Sequence, residues 1–155
     1  MKTGTIEVDE TLHGFMKKLN EAQLLTRDDL TNVPKNGAYV FYQNNTPMYV
    51  GISGKDRMKI RILEHSRPSS DNSTAPFAFN MAKKEAIKRN ISIQEERRNL
   101  EKDPEFSKLF LQAKKEVSQM KVKVVEIEDP NFRALFEIYA VLVLNTTEFN
   151  SFETH

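Results

Sequence analysis

Two short runs, Ala38-Tyr39-Val40-Phe41-Tyr42 and Met48-Tyr49-Val50-Gly51-Ile52, stand on either side of Asn44-Asn45-Thr46-Pro47. Aromatic and β-branched residues around a cluster of turn formers predict an antiparallel hairpin. Side chains alternate along a strand, so the parity of the loop decides what Tyr39 and Tyr49 do. A two-residue loop at Asn44-Asn45 pairs Tyr39 with Val50 and sends Tyr49 to the other face. A three-residue loop at Asn44-Asn45-Thr46 pairs Phe41 with Tyr49 and Tyr39 with Gly51, and both tyrosines then share a face. If the tyrosines act together, an odd loop or a bulge is required. If each is simply a half-buried strand residue, either parity serves. Asparagine tolerates the left-handed backbone that such loops need. Gly51, without a side chain, lets backbone or substrate approach the sheet closely, whereas Gly54 serves the turn into the next helix.

A chain of 155 residues is expected to form one domain with a sizeable core. It has no cysteine, which excludes disulfides and thiolate metal sites. The beginning, Met1-Lys2-Thr3-Gly4-Thr5-Ile6-Glu7, lacks the apolar stretch of a secretory signal. The longest apolar run, Phe132 to Leu144, is interrupted by Arg133 and Glu137, so no membrane span is expected and a cytoplasmic protein is the expectation. Net charge is only +1, but residues 31–123 carry +8 while the segments before and after carry −2 and −5. The middle can present a positive surface to phosphates; the same charges can equally do no more than solvate helices.

Apolar periodicity predicts a helix over 11–25, from Leu12, Phe15, Met16, Leu19, Ala22 and Leu25. The hairpin follows the connector Thr31–Asn36. A helix over Asp56 to about Arg67 is limited by Pro68, and another runs from about Pro76 to Arg89. Residues 83–102 are densely charged and read as solvated helix or loop. Asp103-Pro104 opens a helix to about Gln119, Lys121–Glu128 reads as a strand, and Asp129-Pro130 caps a last helix to about Leu144. This order gives an α+β fold with a small, antiparallel-containing sheet flanked by helices.

Several side chains stand out. Arg57, Arg61 and His65 recur every four residues and form one stripe. Arginine offers phosphate a planar, permanently charged fork, and a nearby histidine can donate to phosphate or move a proton; pairing of these groups with Glu64 is the structural alternative. Glu137 sits within the most apolar stretch of the chain. An unpaired carboxylate there costs several kcal/mol, roughly, to bury, so it is paired with Arg133, protonated, or directed into a polar cleft. One carboxylate suits Mg²⁺, which keeps most of its waters. Phe77 and Phe79, near Lys83 and Lys84, fit a core better than a base-stacking platform. His13, His155 and Ser69-Ser70 are weaker candidates.

Gly37-Ala38-Tyr39 with Tyr49-Val50-Gly51, then Arg61-Ile62-Leu63-Glu64-His65, then Glu137 and Asn150, resembles the GIY-YIG nuclease superfamily. The motifs span residues 37–65 and 137–150. The resemblance implies a three-stranded antiparallel sheet with flanking helices in a single domain over 1–155. Its motif core would be 37–65 and 121–150, and 66–119 would be a helical insertion. It implies that Tyr39 and Tyr49 position or deprotonate the attacking water. It further implies that Arg61, with His65, serves the scissile phosphate, that Glu137 holds a single Mg²⁺ or Mn²⁺ ion, and that Asn150 is the asparagine following that acid. Ala38 and Val50 stand where the family name has isoleucine. The gap from Tyr49 to Arg61 is slightly long, which leaves Arg57 as a rival for the arginine, and Asn145 rivals Asn150.

The implied activity is metal-dependent hydrolysis of DNA phosphodiesters to 5′-phosphate and 3′-hydroxyl ends, with DNA as partner, and with a homodimer wherever the cut is blunt and double-stranded. The alternatives are a non-catalytic DNA-binding module on the same scaffold and a helical protein-interaction domain.

Overall fold

The computed structural model describes residues 5–91 and 97–150; of the weaker candidates, His155 lies outside them. The protein is α+β. Strands β1 (Gly37–Gln43), β2 (Thr46–Ser53) and β3 (Lys121–Glu126) form one antiparallel sheet in the order β2-β1-β3. The helices are α1 (Thr5–Glu21), α2 (Met58–Glu64), α3 (Pro76–Lys88), α4 (Arg97–Lys102), α5 (Pro104–Ser118) and α6 (Pro130–Leu144).

Local chemistry accounts for most boundaries. The two Asp-Pro pairs act alike: Asp103 accepts from the N–H groups of Glu105 and Phe106, and Asp129 from those of Asn131 and Phe132. Each satisfies orphan donors of a first turn in which proline needs none. Asn145 closes α6 in the left-handed conformation, φ 57°. The first helix begins earlier than the apolar spacing predicts and ends at Glu21 rather than 25. Leu25 is taken instead by a bridge to Val122, with N–H···O bonds of 2.8 Å in both directions. The second helix is also shorter than 56–67. Lys55 and Asp56 adopt left-handed backbone, φ 55° and 58°, and form the turn before it.

The hairpin meets the parity requirement by the second of the two routes, a bulge. The loop has two residues, with Asn44 and Asn45 both left-handed at φ 50° and 67°, as a tight right-twisting hairpin demands. Gln43 faces Thr46 and Tyr42 faces Pro47, but Phe41 faces Tyr49. Met48 is therefore the extra residue of a bulge. From there Val40 faces Val50 and Tyr39 faces Gly51, so Tyr39 and Tyr49 share a face.

The chain was expected as one domain with an insertion over 66–119. The described residues form two compact units, divided between Lys59 and Ile60 and between Met120 and Lys121. In the first, Ala38, Val40, Tyr42, Val50 and Val125 pack one face of the sheet against Leu12, Met16 and Leu19 of α1 and Phe136, Ala140 and Val141 of α6. Gly37 lets β1 and β3 close at their ends, since a Cβ there would stand 2.0 Å from the Val125 carbonyl oxygen. In the second unit α5 packs on α3 and α4. The Phe79 ring meets Phe106 and Phe110 at centroid distances of 5.2 and 5.4 Å. Phe77 and Phe79 are fully buried and are core residues.

Candidate active site

The candidate residues fall in both units. Tyr39, Tyr49, Glu137 and Asn150 belong to the first, Arg61 and His65 to the second.

Tyr39 and Tyr49 lie on the sheet face opposite the one covered by α1 and α6. Tyr39 is 1 % exposed and its ring stands edge-on to Phe41, with centroids 5.8 Å apart. Its ring also lies across Gly51: a Cβ on that glycine would be 2.2 Å from Tyr39 Cζ. The close approach that Gly51 permits is thus made by the first tyrosine of the pair itself. Tyr49 is half-buried.

Glu137 follows Phe136 on α6, one helical turn after Arg133 and one before Val141. Arg133 is not its partner. Arg133 Nη1 donates to the carbonyls of Ile127 at 3.0 Å and Glu128 at 2.9 Å, and its guanidinium passes close to Gly54 at the end of β2. α6 packs along β2, an edge strand of the sheet. Glu137 is half-buried, and burial pushes its carboxyl above the ordinary carboxylate range. Among the described residues no hydrogen bond or ion pair offsets that cost.

Asn150 is buried, and both ends of its amide are used on β2. Oδ1 accepts from the Val50 N–H at 2.9 Å, Nδ2 donates to the Val50 carbonyl at 2.8 Å, and Thr146 Oγ1 donates to Oδ1 at 2.8 Å. One side chain thus supplies the edge strand with the pair of bonds that a neighbouring strand would make. Asn145, its rival from sequence, is the exposed cap of α6.

On α2, Arg61 Nη1 donates to the Thr74 carbonyl at 2.8 Å and lies 3.4 Å from Glu64 Oε1. Its Nε and Nη2 make no bond with any described residue, so the outer fork of the guanidinium has capacity for an anion. His65 is fully buried. Burial, and then the charge of Arg61, hold its imidazole well below the ordinary histidine value, so it is neutral near pH 7. Arg57 is exposed and Glu64 half-buried.

Sequence reasoning overlooked Asn36. It is buried beside the first glycine of the hairpin. Its side chain accepts from the Asp56 N–H at 2.8 Å and donates to the Asp56 carboxylate at 2.9 Å, while its carbonyl accepts from the Ile127 N–H at 3.1 Å. It ties the turn before α2 to the end of β3. A lone asparagine in a connector carries no periodic signal that would reveal this.

No protein-family model, curated protein or solved structure matches the chain. Among the described residues no cluster of three or more His, Cys, Asp or Glu could hold a metal ion. A single-carboxylate Mg²⁺ site, completed by water and substrate phosphate, does not require one. The uncompensated carboxylate of Glu137 has the chemistry of such an anchor. No helix among the described residues is long and apolar enough to cross a membrane.

Proposed function

We propose that the chain is a divalent-metal-dependent endonuclease that hydrolyses DNA phosphodiesters to 5′-phosphate and 3′-hydroxyl ends, in the manner of the GIY-YIG nucleases its motifs resemble. The observation that carries the reading is the bulge at Met48. A two-residue loop alone would separate Tyr39 from Tyr49; the extra residue returns both to one face, with Gly51 as the seat of the Tyr39 ring. The same arrangement packs the Tyr39 ring over Gly51 and beside Phe41, and the shared face is what would let the two phenols act together.

In this reading the two phenols orient the attacking water and accept or relay its proton. A phenol with its usual pKa near ~10 does this only beside positive charge. Arg61 uses the open fork of its guanidinium on the phosphate and neutralises the charge that grows there, the type of preorganised contact that contributes most to such reactions. His65, neutral and buried, holds or relays a proton beside Arg61. Glu137 would hold Mg²⁺ or Mn²⁺; the chemistry such an ion supplies is stabilisation of charge on the leaving oxygen. Asn150 is a positioning residue that keeps the segment after α6 on β2.

The test is incubation with supercoiled plasmid in Mg²⁺, with and without chelator. Nicking that chelator abolishes and that Glu137→Ala loses is the expected result. DNA binding without cleavage would leave the non-catalytic module as the better reading, and no DNA affinity at all would leave the interaction domain.

A further inference from the structure

Lys114 is a lysine in an aromatic core. It is 5 % exposed, on the buried face of α5 with Phe106, Phe110, Ala113 and Val117. Its Nζ lies 4.1 Å from the centre of the Phe110 ring and donates to the carbonyls of Pro68 at 2.7 Å and Ser70 at 2.9 Å. Burial lowers its pKa, against the pull of Glu101 and Asp71, which raise it. A methionine would fill the same space without desolvating a cation. Packing alone does not account for a charge here.

What the charge holds is the segment between α2 and α3. Besides the two bonds from Lys114, Asn72 is fixed to the Glu101 carboxylate by its N–H at 3.1 Å and its Nδ2 at 2.6 Å. Asp71 Oδ1 accepts from the N–H groups of Ser73 and Thr74 at 2.9 and 3.0 Å. The segment so shaped ends at the Thr74 carbonyl, which takes Nη1 of Arg61. Ser70 Oγ, next to the carbonyl that Lys114 holds, donates to the Glu64 carbonyl. Polar contacts hold both ends of this path, from Lys114 to Ser70 and from Asp71 through Thr74 to Arg61, and the backbone bond from Ser70 to Asp71 joins them.

We propose that Lys114 is a positioning residue for Arg61: by pinning the carbonyls of Pro68 and Ser70 it fixes the Thr74 carbonyl, which sets the direction of the guanidinium fork. The inference rests on the proposed role of Arg61, and it gives the helices α3–α5 a purpose other than bulk. The charge on α5 shapes the loop that aims the phosphate-binding group.

The experiment is a double-mutant cycle read by plasmid nicking, with Lys114→Met and Arg61→Ala made singly and together. Lys114→Met should lower kcat about tenfold or more, the order of loss that misplacing a group far from the chemistry produces, with KM little changed. Lys114→Arg should restore much of it. In the Arg61→Ala background Lys114→Met should cost less than about twofold, since its effect passes through Arg61. Equal losses in both backgrounds, or no loss in either, would overturn the proposal. If Lys114→Met does not fold, Asn72→Ala releases the second anchor of the same segment and enters the same cycle. A second readout does not depend on nuclease activity: the Arg61 Nε–Hε NMR signal, assigned by its loss in Arg61→Lys. In Lys114→Met, or in Asn72→Ala, that signal should shift and exchange faster with water; an unchanged signal would refute positioning. Absence of any nicking by the wild-type chain counts against the nuclease reading, and the NMR comparison then decides the positioning by itself.

Discussion

Tyr39 occupies the space that a side chain at Gly51 would need: a Cβ there would come within 2.3 Å of the Tyr39 hydroxyl oxygen. The glycine of the second strand is therefore a condition for the tyrosine of the first. Gly51→Ala should destabilise the protein by about 1–3 kcal/mol, the usual cost of forcing extra volume into a packed site, and, on the proposed nuclease role of Tyr39, should abolish cleavage by displacing the ring. Gly14→Ala is the control. It lies on the exposed side of α1 with nothing within 4 Å of a new Cβ, and should be neutral or stabilising by up to about 1 kcal/mol. Urea unfolding of the two variants checks this; a Gly51→Ala protein as stable as Gly14→Ala would remove the contact from the account.

Glu137 is held above the ordinary carboxylate range by burial. A raised folded-state pKa means that stability is fully present below the unfolded-state value and is lost as pH rises through the folded-state value. Glu137→Gln should therefore be more stable than wild type at pH 7, with the higher Tm of the two. The difference should vanish below about pH 4. If Glu137 is the proposed metal anchor, Mg²⁺ should raise the Tm of wild type but not of the variant. Thermal scans at several pH values, with and without Mg²⁺, measure both effects; equal Mg²⁺ responses would rule out Glu137 as the metal anchor.

Asn150 stands in for a missing strand at Val50. Asn150→Ala leaves a buried N–H and a carbonyl without partners and should cost about 1–3 kcal/mol. Asn150→Asp should be at least as harmful, because a carboxylate oxygen would face the Val50 carbonyl in place of an amide N–H. Hydrogen exchange at the Val50 amide reports the bond directly. Protection equal to wild type in Asn150→Ala would contradict the assignment.

His65 has the opposite linkage to Glu137. Its folded-state pKa is depressed by burial and by Arg61. The unfolded chain therefore takes up a proton first, and stability should fall as pH drops below the ordinary histidine value of 6.5. His65→Asn should flatten the stability profile between pH 6.5 and the histidine's depressed folded-state value, even if it lowers stability at pH 7. A parallel decline of both proteins in denaturant titrations would show that another group is responsible.

Much of the local structure was legible in the residues. The paired Asp-Pro starts of α5 and α6 and the strand runs around Asn44-Asn45 mark elements that depend on near neighbours in sequence, and those elements appear within a few residues of expectation. The ends of α1 and α2 were not legible. Leu25 continues the helical period, yet it bonds to Val122, almost a hundred residues away, and a short-range pattern contains no term for that competition. Sequence named Arg133 as one possible partner for Glu137, from helical spacing alone, whereas the folded chain spends that guanidinium on the carbonyls that follow β3.

By itself, the sequence determined that an asparagine turn would fold two aromatic strands together, and that sharing a face required an odd residue somewhere in the hairpin. Only the tertiary structure decided where that residue lies, because a bulge at Met48 and a longer loop satisfy the same parity and differ only in how β2 packs. It also decided which polar groups are consumed and which are left open. Asn150 gives its amide to an edge strand, Arg61 gives one nitrogen to Thr74, and Glu137 gives its carboxylate to no described residue. Such assignments depend on groups brought close by folding, and chain order does not encode proximity across a hundred residues.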